Sequence, residues 1–126
     1  MAKILVIDDD IAIVDLLRMH LVAAGHKIHA AMDATGGMML ATRERPDLIT
    51  LDFQMPAGDG GKVFERLRVN TVTGKIPIVF ISGMNKLDLE FALKNDPTVR
   101  FLQKPIDIEA LKRCIAELLS APPAAS

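Results

Sequence analysis

Ile4-Leu5-Val6-Ile7 runs straight into Asp8-Asp9-Asp10, and this stretch decides how the rest of the chain is read. Four apolar residues stop at carboxylates. The pattern recurs: Leu48-Ile49-Thr50-Leu51 stops at Asp52, Ile78-Val79-Phe80-Ile81 at Ser82, and Phe101-Leu102-Gln103 at Lys104-Pro105. If the runs are parallel strands of one sheet, these polar groups meet at one edge. Open α/β sheets bind ligands there, outside the carboxyl ends of the strands. Carboxylates, a hydroxyl and an ammonium then converge, a set that suits a divalent cation and a phosphoryl group on a carboxylate.

Helical patterns separate the runs. After a first strand at about 3–8, Asp10 is a plausible N-cap, Val14, Leu17 and Leu21 have helical spacing, and Gly25 ends the helix through positive φ. A second strand at about 27–31 carries Lys27 and His29 and reads as an edge. A second helix at about 34–44 contains Gly36-Gly37, each costing about 1 kcal/mol against Ala in a helix interior, and Pro46 closes it. The third strand is 48–52, followed by a turn-rich loop through Met55-Pro56-Ala57-Gly58-Asp59-Gly60 and a third helix at about 60–69. The fourth strand is 78–82, the fourth helix about 86–95, the fifth strand 99–103 and the fifth helix about 107–120. Strictly alternating strands and helices predict an α/β fold: a five-stranded parallel sheet covered on both faces, doubly wound and flavodoxin-like, (βα)5 in order 2-1-3-4-5. In that order Asp8, Asp9 and Asp52 sit on adjacent strand ends.

Bulk numbers set the outer limits. The chain has 126 residues, half of them hydrophobic, enough for one domain with a real core. A net charge of -1 gives no basic footprint for nucleic acid, so no direct nucleic-acid binding is expected within these residues. One cysteine, Cys114, excludes an intramolecular disulfide and Cys-rich zinc sites, and its place near the apolar face of the fifth helix makes it a small core residue. No apolar stretch approaches the roughly 20 residues of a membrane span. Met1-Ala2-Lys3 lacks the pattern of a signal peptide. The expectation is a cytoplasmic protein with no membrane partner. His20, His26 and His29 lack ligand spacing and are expected to face solvent.

Charge arithmetic points to a metal. Two unit charges 4 Å apart repel by about 4 kcal/mol at an effective dielectric near 20. Three carboxylates therefore need a cation or a proton. Mg²⁺ is a hard ion that prefers oxygen and often shares its shell with phosphate. Asp8 and Asp9 would hold the metal. Asp52, alone at its strand end, is the nucleophile, and Lys104 and Ser82 would hold phosphoryl oxygens. Taken singly, the residues have plainer readings: Asp8-Asp9-Asp10 as a capping cluster, Ser82 as a strand-end hydroxyl, Lys104 as a solvated cation. Their joint spacing favours the site.

Together, Asp8-Asp9, Asp52 with Met55-Pro56 and Gly60, Ser82-Gly83 and Lys104-Pro105 resemble the receiver domain of two-component response regulators. The likeness covers residues 3 to about 120, giving a receiver at 1–120 and a tail or linker start at 121–126. It implies that Asp52 accepts a phosphoryl group from a sensor histidine kinase or a histidine phosphotransfer protein. It implies Mg²⁺ on Asp9, Asp52 and the backbone carbonyl of Gln54, with Asp8 acting through water. It implies a switch in which Ser82 moves toward the phosphoryl group and Phe101 turns inward. The face of the fourth helix, fifth strand and fifth helix then changes its affinity for a downstream effector protein or domain. It implies a cis bond at Lys104–Pro105, and dephosphorylation tuned from Gln54 and Met84. Catalysis would be limited to self-phosphorylation from small donors and self-dephosphorylation, so no enzyme in the usual sense is expected.

Four departures from the family pattern stand out. Gly83 replaces the frequent Ala, Asn95-Asp96-Pro97-Thr98 stand before the fifth strand, Phe101 replaces Tyr, and Gly36-Gly37-Met38-Met39 occupy the second helix. The fourth helix, with Leu87, Leu89, Phe91, Ala92 and Leu93, is apolar on more than one side, which fits a partner surface or a homodimer through the same face. The main rival function is a Mg-dependent phosphatase of the haloacid dehalogenase type, which needs an Asp two residues after the nucleophile; Gln54 stands there. A flavin-binding relative is disfavoured because Asp8-Asp9-Asp10 would repel a phosphate, and an unphosphorylated docking module because the acceptor set is complete. A stand-alone receiver acting by docking is the preferred organisation, ahead of a receiver belonging to a larger regulator or hybrid kinase.

Overall fold

The structure is a computed structural model and describes residues 2–53, 60–83 and 96–120. The expected fourth helix at 86–95, the loop residues Gln54 to Asp59, Met84 and the tail 121–126 lie outside the described residues. The elements are β1 (Lys3–Ile7), α1 (Ile11–Ala23), β2 (Lys27–Ala31), α2 (Ala34–Glu44), β3 (Leu48–Asp52), α3 (Gly60–Val69), β4 (Ile78–Ser82), β5 (Val99–Gln103) and α4 (Ile108–Ser120), the last being the expected fifth helix. All strand pairings are parallel, in the order β2-β1-β3-β4-β5. The predicted fold class and strand order are those observed.

The period-two alternation of the strands divides the core in two. Ile4 and Val6 of β1 and Val79 and Ile81 of β4 pack with Val14, Leu17 and Leu21 of α1 and with Leu111, Ile115 and Leu118 of α4. Leu5 and Ile7, Ile49 and Leu51, and Ile78 and Phe80 face the other way, onto Ala41 of α2 and Val63 and Leu67 of α3. Every residue of β3 and β4 is buried, which explains their unbroken apolar spelling. β2 and β5 are the two edge strands, and Lys27 of β2 is exposed.

Helix ends follow their capping chemistry. The Asp10 carboxylate accepts the Ala12 N–H at 2.9 Å, and Gly25 takes φ 97° just beyond α1. Asp33 caps α2 by accepting the Gly36 N–H at 2.7 Å. The glycine at 37 has a packing reason: a Cβ there would lie 2.7 Å from Ile7 Cδ1 and 3.1 Å from Cγ1 and Cγ2. Ile7 is fully buried and cannot retreat. Gly37→Ala is therefore expected to destabilise the protein by up to about 2 kcal/mol, the difference between an overpacking cost of about 1–3 kcal/mol and a helix-propensity gain of about 1 kcal/mol. A urea midpoint that rises in this variant would contradict the close approach.

Several side chains differ from expectation. The three histidines are half-buried rather than solvent-facing. His29 pairs in register with Leu5, so it lies on the side of β2 that α2 covers, with Nε2 at 3.5 Å from Glu44 Oε1. His26 Nδ1 accepts the Ala2 N–H at 3.3 Å. Cys114 is half-buried against the core, as expected. Met38 packs on the core while Met39 is exposed. Asp96, in the unusual stretch before β5, accepts from Thr98 N–H and Oγ1 at 2.8 and 2.6 Å. Arg68 of α3, which had drawn no attention in the sequence, donates to the Ile76 carbonyl and Thr98 Oγ1 at 2.9 and 2.8 Å and sits 3.5 Å from Asp96 Oδ2. It binds α3 to the entrances of β4 and β5.

Candidate functional site

Parallel register brings the strand ends together. Ile7 pairs with Leu51, so Asp8, one residue past β1, lies beside Asp52, the last residue of β3. Asp52 pairs with Ile81 and Ser82 with Gln103. The pairing extends one step further, where the Lys104 N–H donates to the Ser82 carbonyl at 2.8 Å. The Lys104–Pro105 peptide is cis.

The side chains complete the convergence. Carboxylate oxygens of Asp8, Asp9 and Asp52 all lie within 4.8 Å of one another, the one such ligating group among the described residues. Lys104 Nζ is 3.4 Å from Asp52 Oδ2 and 3.5 Å from Asp8 Oδ2. Asp8, Asp52 and Ser82 are buried, and Asp9 is exposed at the rim. Phe101 is not in this cluster; it packs with the core on the α3 side of the sheet. Gln54 and Met84 lie outside the described residues.

Among the described residues, three carboxylates against one ammonium leave an excess of negative charge. Burial pushes the Asp8 carboxyl above its ordinary range, although the Asp10 N–H at 2.9 Å and the Lys104 ammonium pull the other way; the charge on Asp9 adds to the rise. Burial lowers the Lys104 ammonium, but Asp8 and Asp52 together outweigh it and the net direction is up. The chain thus presents hard oxygen donors within reach of one ion, with one carboxyl short of positive charge. That donor set fits Mg²⁺.

The sign of the linkage can be tested. A carboxyl whose folded pKa lies above the unfolded value of 3.8 costs stability as pH climbs from that value through the folded one. Without metal, the cost is fully present at neutral pH and absent in acid below the unfolded pKa. Asp8→Asn is expected to raise the urea midpoint in EDTA at pH 7, to leave it nearly unchanged near pH 3, and to weaken Mg²⁺ binding. A lower midpoint at pH 7 would mean that the Asp8 charge is fully compensated by its neighbours.

Two groups of residues near the site escaped the sequence reading. Phe53, Phe64 and Phe80 cluster with Phe101 beneath the sheet edge. Thr50, in line with Asp52 on β3, is buried. The signal for Phe80 and Phe101 was available, since the two rings fall opposite each other once strand order is known.

Comparison with known proteins agrees with this arrangement. Residues 4–116 match the family model of the response regulator receiver domain. The DNA-binding dual master transcriptional regulator RpaA of Synechocystis sp. is 35% identical over 119 residues, covering 94% of this chain and 49% of that protein. Response regulator PleD of Caulobacter vibrioides is 37% identical over 106 residues, covering 84% of this chain and 23% of that protein. The chain thus spans about half the length of the first and under a quarter of the second. Among solved structures, chemotaxis protein CheY4 of Vibrio cholerae superposes with a TM-score of 0.83 at 26% identity, covering 94% of this chain and 99% of that one. No helix among the described residues is long and apolar enough to cross a membrane.

Proposed function

This chain belongs to the response regulator receiver domain family, a signalling domain of two-component systems rather than a classical enzyme, and from that premise we propose that Asp52 is its phosphoacceptor. The observation that carries the reading is the grouping of Asp8, Asp9 and Asp52 within 4.8 Å, with Lys104 Nζ at 3.4 Å from Asp52. The donor is a phosphohistidine on a sensor histidine kinase or a histidine phosphotransfer protein. A carboxylate oxygen of Asp52 attacks the phosphorus. The P–O bond forms as the P–N bond breaks, and the imidazole leaves with the electron pair and takes its proton from solvent.

Phosphoryl transfer asks mainly for positioning and charge neutralisation. Mg²⁺ on Asp9, Asp52 and the Gln54 carbonyl, with Asp8 acting through water, would neutralise charge on the transferring oxygens. Lys104 holds one phosphoryl oxygen and leaves its Asp52 contact to do so. The Ser82 hydroxyl donates to another. Ser82 and Phe101 then act as the switch, and the face of 86–95, β5 and α4 changes its affinity for a downstream effector or a second copy of the chain. Gln54 and Met84 tune the lifetime of the aspartyl phosphate, read as its decay rate. Residues 1–120 form the receiver and 121–126 a tail or the start of a linker. The DNA binding of RpaA is a property of that longer protein; in this chain such an output would lie with a partner or a further domain. A haloacid dehalogenase-type phosphatase is the lesser reading, because Gln54 occupies the position of its acid.

Incubation with acetyl phosphate and Mg²⁺ tests the acceptor directly. The intact mass is expected to rise by one phosphoryl group. An unchanged mass across acetyl phosphate, phosphoramidate and a phosphorylated kinase would refute the reading.

A further inference from the structure

The described phenylalanines form one cluster with a single hub. Phe80, in the middle of β4, is fully buried. Phe53, the residue after Asp52, meets it edge-on, with ring centroids 5.6 Å apart and planes at 61°. Phe101 of β5 stacks on it at 5.7 Å and 11°. Phe64 of α3 tilts against it at 5.5 Å and 56°. The three outer rings are half-buried and come from α3, from β5 and from the residue just past β3. Phe80 touches all of them. Arg68, which clamps α3 to the entrances of β4 and β5, lies with its guanidinium 4.9 Å from the centre of Phe64.

We infer that Phe80 is a positioning residue, the relay through which a change at Asp52 reaches β5 by way of Phe53 and Phe101. This rests on Asp52 being the phosphoacceptor. It adds a route beside Ser82, one that needs no hydroxyl. The physical basis is close packing: a dense interior transmits displacement rather than absorbing it. A dianion on Asp52 adds bulk and charge at the buried end of β3, and Phe53 is the next residue along. Its ring meets, at a steep angle, a fully buried ring that has no room to retreat. That same ring stacks nearly parallel on Phe101, an arrangement with a defined preferred position. Phe101 carries no phenol, so no hydrogen bond of its own competes with the stack for control of where the ring sits.

The experiment uses the full chain with labelled phenylalanine. The Phe101 ring resonances are recorded by NMR before and after phosphorylation by acetyl phosphate with Mg²⁺, and intact mass gives the extent of modification in each sample. In the unsubstituted protein the Phe101 ring shifts should move on phosphorylation. Phe80→Leu is expected to take up the phosphoryl group to the same extent, while the Phe101 response falls by about threefold or more. Phe64→Leu removes a comparable ring contact with Phe80 but leaves the Phe53–Phe80 and Phe80–Phe101 contacts in place, so it should keep the response. A merely structural role for Phe80 would affect both variants alike. An undiminished Phe101 response in phosphorylated Phe80→Leu overturns the inference. If Phe80→Leu does not fold, the half-buried Phe53→Leu decides: a lost response with normal uptake supports the relay, and a full response overturns it. Absence of uptake in the unsubstituted protein would instead be a failure of the acceptor assignment, seen by mass before any ring is examined.

Discussion

Asp52→Ala is expected to take up no phosphoryl group from acetyl phosphate, with a rate at least about 10³-fold below that of the unsubstituted chain, as befits loss of a nucleophile. The neighbouring carboxylates offer no substitute. Asp8 is buried, spends one oxygen on the Asp10 N–H, and is held toward its protonated form by burial. Asp9 is exposed at the rim. Lys104 Nζ stands at nearly equal distance from Asp52 and Asp8, 3.4 and 3.5 Å, but of the two it is Asp8 that is held toward its protonated form. Intact mass and the acid-labile phosphate released on denaturation are the measurements. Residual modification mapped to Asp8 or Asp9 would move the acceptor role to that residue. The variant should remain folded, since it removes one charge from a crowded group of like charges.

Lys104→Ala should divide stability from signalling. The ammonium sits between Asp8 and Asp52, both about 3% exposed at the side chain. Its removal leaves two buried carboxylates without their cation. Breaking a buried pair by deleting one partner costs about 3–5 kcal/mol, but the Lys104 side chain is 26% exposed, and solvent screening brings the expectation down to about 2 kcal/mol. The loss should be largest in EDTA and smaller with Mg²⁺, which takes over the neutralisation. The pH dependence has a definite sign. The folded pKa of Lys104 lies above its ordinary 10.5, so its contribution is fully present below that value and is lost as pH rises through the folded pKa. Between pH 6 and 9 the difference between variant and parent should therefore be flat with respect to this group. Phosphorylated Lys104→Ala should bind metal yet show no phosphorylation-dependent change in partner affinity, read by pull-down of modified and unmodified protein. A normal partner response would remove Lys104 from the switch.

Much of this arrangement was written in the chain. Unbroken apolar runs at 48–51 and 78–81 announced strands buried on both faces, and the polar residue ending each run announced the edge where they meet. Asp8, Asp9, Asp52 and Lys104 were legible because each follows directly from its own strand, and parallel register does the rest. What escaped depends on partners far away in sequence. Gly37 reads as a weakness until Ile7, thirty residues earlier, is found pressed against it. His29 reads as solvent-facing because nothing local says that α2 covers one side of β2, and His26 because its partner, the Ala2 N–H, lies 24 residues earlier. Arg68 looks like an ordinary charge of a last helical turn; its grip on Ile76, Thr98 and Asp96 appears only when β5 is laid beside β4. The ring cluster needed the same step, since four phenylalanines spread over 53–101 carry no pattern of their own.

The exposed lysine of β2 has a consequence for molecules at high concentration. A sheet rim carries unsatisfied N–H and C=O groups, and these invite a strand from another molecule. Here any identical strand docking in register would lay its own Lys27 beside this one. Ammonium would face ammonium at the moment of pairing, with His29 as the next side chain on that face. The rim therefore discourages fibre-like, in-register polymerisation along this side.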